Sequence, residues 1–124
     1  MDSSADVVTR YYELANAGDW SRWCDLFAED LVMDEQIAGH IEGQRTLREM
    51  MKGFPRMYES FANKPARVVI TDDQAAVVSH ISATTAGGQS IEADVCNYFE
   101  ISGGKISYFA NFHDTVPFSE VAAR

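Results

Sequence analysis

The chain has 124 residues, with 19 Asp and Glu against 10 Lys and Arg, giving a formal charge of −9. An acidic surface repels phosphate backbones and anionic headgroups, and no Lys/Arg cluster stands out, which argues against nucleic acid and membrane partners. At this length roughly two-thirds of the unfolded surface is expected to be buried, so a single domain spanning 1–124 can build its core without disulfides or metals.

Ser3 and Ser4 followed by Asp6 can cap a helix, and Val7, Val8, Tyr11, Leu14 and Ala15 then recur at helical spacing until Gly18. Asp19 suits the cap of a second helix whose apolar positions, Trp20, Trp23, Cys24, Leu26 and Phe27, run to about Ala28. The segment "LVMDEQI" alternates, with Leu31, Met33, Glu35 and Ile37 on one face, so it reads as a short strand. "AGHIEG" reads as a loop. A third helix begins near Gln44, and Gly53 and Pro55 predict a break in it.

After Pro65 the chain turns β-rich: "ARVVIT", "AAVVSHISATT", "SIEADVCNYFEIS" and "KISYFANFH", separated by short turns, predict a four-stranded antiparallel meander. In the third of these, Ile91, Ala93, Val95, Asn97, Phe99 and Ile101 share one face, while Glu92, Asp94, Cys96, Tyr98 and Glu100 share the other. Helices first and strands after predict an α+β fold.

Polar side chains in phase with core residues are the informative ones, because burying them unpaired costs about 1 to 3 kcal/mol. Glu35 is in phase with Leu31 and Met33, where a carboxylate is a candidate general base; the competing reading puts it in a solvated loop after the strand. Asn97 either donates to a ligand oxygen or closes an internal network. Tyr11 lies in a core stripe with its hydroxyl in need of a partner. Asn111 and His113 share a parity in the last strand and fall either at a pocket mouth or on the exposed face; His40 and His80 read as structural or interfacial.

The three histidines show no metal-ligand spacing, and no motif for nucleophilic serine or cysteine catalysis is present. With only Cys24 and Cys96, and no signal-like start in "MDSSADVV", a reduced, cytoplasmic protein is expected.

The segments "TRYYELANAGDWSRWCDLFAEDLVMDE", "GQRTLREMM" and "NYFEISGGKISYF" resemble the nuclear transport factor 2-like superfamily, in particular its ketosteroid isomerase and SnoaL-like polyketide cyclase branches. The resemblance implies a cone of about three helices packed on a curved, mostly antiparallel sheet that encloses an apolar pocket, with dimerisation through the sheet's outer face. It also implies roles: Tyr11 matches the tyrosine that donates to a substrate oxyanion, Glu35 the aspartate base, and Asn97 the second donor. Asn111 stands where the cyclases carry an aspartate.

Two functions follow as expectations. One is a cofactor-free isomerase or cyclase acting on a small apolar carbonyl compound of polyketide, terpenoid or steroid-like type. Its catalytic residues would be Glu35, Tyr11 and Asn97, and its pocket would be lined by Asn111, Phe109, Met33, Phe27, Ile81 and Phe99. The other is a noncatalytic ligand-binding or dimerisation domain in which Met33, Phe27, Ile81 and Phe99 fill the same cavity and Glu35 caps an internal network. An open cavity of about 300 Å³ or more beside Glu35 is expected of the first. The outer-face residues Val78, His80, Cys96, Tyr98, Tyr108 and Phe112 predict a homodimer.

Overall fold

The computed structural model describes residues 2–122. Helix α1 (Ser4–Ala17) starts at a capping box in which the Ser3 hydroxyl accepts from the Asp6 N–H and the Asp6 carboxylate accepts from the Ser3 N–H. It ends at Gly18, whose φ of 70° needs a residue without a Cβ. Asp19 caps α2 (Trp20–Asp25) by accepting from the Arg22 N–H.

That helix stops three residues before the expected Ala28. Phe27 opens strand β1 (Phe27–Glu35), where it pairs in parallel with Ile106, and the Ile106 N–H donates to the Leu26 carbonyl at 2.9 Å. Leu26 and Phe27 are buried in either conformation, so pairing with the sheet decides the backbone.

The chain then turns back as β2 (Gly39–Glu42), which pairs antiparallel with β1 from Glu35↔Gly39 to Val32↔Glu42. The loop reading of "AGHIEG" is therefore corrected to a return strand, and Ile37 lies in the turn rather than in the strand. Helix α3 (Gln44–Met51) and the short α4 (Phe54–Met57) are separated at Gly53 as the sequence indicates.

Strand β3 (Tyr58–Ile70) begins eight residues earlier than Ala66. Pro65 lies inside it because β3 is an edge strand, where a missing N–H breaks no ladder bond, and a bulge follows between Pro65 and Arg67. It pairs with β4 (Gln74–Thr85), β4 with β5 (Ser90–Ser102), and β5 with β6 (Lys105–Phe112), all antiparallel. Gly103 and Gly104, both at positive φ, make the tight turn between the last two strands.

The curved six-stranded sheet has the order β2-β1-β6-β5-β4-β3, parallel only where β1 meets β6. The fold is α+β and mostly antiparallel. Its concave face holds the core. Ile91, Ala93, Val95, Asn97, Phe99 and Ile101 of β5 are all buried there: Asn97 bonds Tyr12 of α1, Phe99 and Ile101 cluster with α1 and α2, and Ile91, Ala93 and Val95 cluster with Phe118 and Val121. A 3₁₀ turn (Val116–Phe118) and a last short helix, α5 (Ser119–Ala122), cover one end of that face with Phe118 and Val121. Cys24 and Cys96 are free thiols. Among the described residues no helix is long and apolar enough to cross a membrane.

Candidate functional site

Between the helices and the concave face lies a cavity of about 200 Å³. It falls short of the ~300 Å³ or more expected of the enzyme reading, and it is larger than the ~150 Å³ that holds a benzene ring. Its walls are mainly Met and aromatic side chains: Met33, Met50, Met51, Phe54, Met57, Phe61 and Phe109. Among the described residues, Glu35 is the one carboxylate that lines it, and no Lys or Arg does. Nor do the described residues gather three His, Cys, Asp or Glu as metal ligands would be gathered. Such a cavity suits a neutral, apolar ligand of one or two rings.

Glu35 is the last residue of β1 and is half-buried. One carboxylate oxygen, Oε2, accepts from the Ile37 N–H at 2.6 Å and the Ala38 N–H at 3.0 Å. Those bonds cap the turn into β2 and hold the carboxylate in place. The other oxygen, Oε1, has no hydrogen-bond partner among the described residues, which leaves it able to accept a proton from a ligand. Asn111 buttresses the same turn: its Oδ1 accepts from the Gln36 N–H at 2.9 Å. The capping by Oε2 is the role that the noncatalytic reading expects of Glu35, whereas Oε1 is left for the role that the enzyme reading expects.

Tyr11, only 6% exposed, also lines the cavity, and its hydroxyl has no hydrogen-bond partner among the described residues. Its pKa is raised well above the ordinary phenol value, by burial first and then by Tyr12 and Glu35, so it remains a proton donor throughout the neutral range. Tyr58 lines the cavity too, and its pKa is raised to about 12 by burial and then by Glu35. Two phenols thus feel the Glu35 charge. The Trp23 ring lies 5.5 Å from that of Tyr11, and its buried indole N–H is unpartnered among the described residues.

Asn97 lines the cavity, but its amide is engaged elsewhere. Nδ2 donates to the Tyr12 hydroxyl and to Ser79 Oγ, each at 2.8 Å, and approaches the Val77 carbonyl at 3.4 Å. Of the two roles its pattern allows, the structure shows the internal network. Met33, Ile81, Phe109 and Asn111 line the cavity, whereas Phe27 and Phe99 do not. Those two are 1% and 0% exposed and pack against the Tyr11 ring at 6.4 and 5.0 Å, so their placement in the pocket wall is corrected to the core beneath it.

His113 lines the cavity beside Phe118, with Nδ1 donating to the Asp114 carbonyl at 2.8 Å. His40 and His80 sit outside it, each held between two carboxylates: Asp34 and Glu42 for the first, Asp94 and Glu92 for the second.

The sequence profile of the SnoaL-like domain matches residues 8–109. The chain belongs to the SnoaL-like family. That family lies in the nuclear transport factor 2-like superfamily, and solved structures of this fold align over nearly the whole SnoaL-like chain. One is a nuclear transport factor 2-like protein of unknown function from Burkholderia pseudomallei, with TM-score 0.88, 14% identity and 100% of each chain covered. Another is TerC co-crystallised with polyporic acid, with TM-score 0.83, 16% identity and 97% and 98% of the two chains covered. A third is a candidate polyketide cyclase from Pseudomonas putida, with TM-score 0.82, 21% identity and 97% and 98% covered. At these identities the likeness establishes the fold. Among curated proteins, no relative matches by sequence.

Proposed function

We propose that this SnoaL-like domain is a cofactor-free proton-transfer enzyme of isomerase or cyclase type, acting on a small, neutral, apolar carbonyl compound. The observation that carries this reading is the Oε1 of Glu35, partner-free among the described residues, at a mainly apolar cavity that is also lined by Tyr11, whose hydroxyl is likewise unpartnered among them. Glu35 takes a proton from the carbon α to the carbonyl, and the electron pair of that C–H bond moves into an enolate. Tyr11 donates to the enolate oxygen, and the N–H of Trp23, whose ring lies 5.5 Å from that of Tyr11, is the second donor in place of the engaged Asn97. Glu35 then returns the proton to the substrate. The solved structures named for polyketide cyclisation and for co-crystallisation with polyporic acid lend support from the same fold.

Base catalysis of this kind contributes ~10² to 10⁴ in rate, and removing one oxyanion donor costs ~10² to 10³. The test is deuterium exchange at the α-carbons of 2-tetralone, a two-ring ketone, in D2O. Wild-type protein accelerates exchange and Glu35→Gln reduces the acceleration at least ~10²-fold. Equal rates for the two proteins overturn the reading and leave a ligand-binding role.

We propose also that a second copy covers the outer sheet face, where Phe112 is 58% and Val78 40% exposed. Sedimentation at micromolar concentration should show a dimer, and a monomer alone would reject it.

A further inference from the structure

A second polar group in the same cavity has no role in the proton transfer. Asn63 lies on edge strand β3 directly opposite Ile81 of β4, and side chains of such a pair share a face. Ile81 and Asn63 both line the cavity. The backbone of Asn63 is fully engaged with α1: its N–H donates to Asn16 Oδ1 at 2.7 Å, and its carbonyl accepts from Asn16 Nδ2 at 2.8 Å. The Asn16 side chain thus closes the sheet edge as another strand would. The side chain of Asn63 has no comparable partner. Asn63 is 5% exposed, and its buried Oδ1 accepts no hydrogen bond. Among the described residues its Nδ2 donates none.

A buried amide left unpaired costs stability and calls for an explanation. Packing does not supply one, since leucine would fill the same space without the penalty. No ionic partner lies nearby either, because among the described residues no Lys or Arg lines this cavity. An amide offers both an acceptor and a donor, and a hydroxyl is the smallest neutral ligand group that can satisfy either.

We propose that Asn63 is a specificity-determining anchor for a hydroxyl on the ligand, so that the substrate class is a hydroxylated one- or two-ring ketone. The carbonyl sits at the Tyr11 and Glu35 end and the hydroxyl at the β3 wall. The Asn16 clamp fixes the depth at which the amide projects. This inference rests on the proposed reading of the cavity as a carbonyl site, and it adds the second point of recognition that orients the ring.

The test compares the binding of 2-tetralone with that of 6-hydroxy- and 7-hydroxy-2-tetralone by titration calorimetry. Wild-type protein binds at least one hydroxylated ketone about tenfold tighter than the parent. Asn63→Leu brings that ratio to about one and raises the Tm of the unliganded protein; should the leucine fail to fit, Asn63→Ala reads the same ratio. Glu35→Gln keeps the preference while losing exchange, which separates this anchor from the base.

Equal affinities in the wild type, with α-exchange of 2-tetralone intact, overturn the anchor alone. A preference that survives Asn63→Leu, or a fall in Tm with the preference unchanged, also overturns it. Binding of no ketone overturns the anchor together with the functional reading beneath it.

Discussion

Asn97 and Asn63 are two buried asparagines on one concave sheet face, 1% and 5% exposed, and both line the same cavity. Asn97 is tied to Tyr12 and Ser79 at 2.8 Å each, while the Asn63 amide is held by none of the described residues. The first joins α1 to β4 and β5 and belongs to the scaffold. The second lines the cavity with an amide that no described residue satisfies. Burial alone therefore does not mark a site residue; the hydrogen bonds left unmade do.

The largest effect that sharpens this contrast is on the site side. Tyr11→Phe removes an unpartnered hydroxyl and no protein hydrogen bond, so α-exchange of 2-tetralone should fall ~10² to 10³-fold. Its folding midpoint in urea should stay near that of the wild type. A loss of stability without a loss of rate would move Tyr11 to the scaffold with Asn97.

On the scaffold side, Asn97→Leu removes the donor shared by the Tyr12 and Ser79 hydroxyls and should cost about 2 kcal/mol in urea denaturation. Asn63→Leu should instead stabilise by about 1 kcal/mol, because the amide it removes is unpaired. Equal effects of the two substitutions would break the contrast.

The smallest effect lies on the outer face. Asp94 and then Glu92 raise the His80 pKa above its ordinary value. A raised folded-state pKa means that the stabilisation is fully present below the unfolded value of ~6.5 and is lost as pH rises through the folded value. NMR titration should place the His80 midpoint above ~6.5, and Asp94→Asn should lower it. The concave-face substitutions should leave it in place.

Much of this was legible in the residues. The strict alternation of β5 placed Asn97 inward, and Glu35 in phase with Met33 marked the one carboxylate that lines the cavity among the described residues. What separates Asn97 from Asn63 was not legible, for two reasons. The sequence predicts a helix from Gln44 with a break at Gly53–Pro55 and strand only after Pro65, so Asn63 and Tyr58 fell outside any predicted strand and had no face. An edge strand tolerates that proline, and only the sheet order reveals β3 as an edge. Trp23 was read as a core aromatic, which it is, but its unpaired N–H emerges only when every neighbouring acceptor has a position. β2 escaped because "GHIE" is too short to show a period and is a strand only through its pairing with β1.

The central claim is that a carbonyl oxygen sits at Tyr11 with its α-carbon at Glu35. It is tested most directly by a crystal structure of the protein with 2-naphthol, whose ring and oxygen mimic the enol of 2-tetralone. The account predicts the naphthol oxygen about 3 Å from the Tyr11 hydroxyl, with C1 facing Oε1 of Glu35. A naphthol bound outside the cavity, or lying in it with its oxygen away from Tyr11, would contradict it.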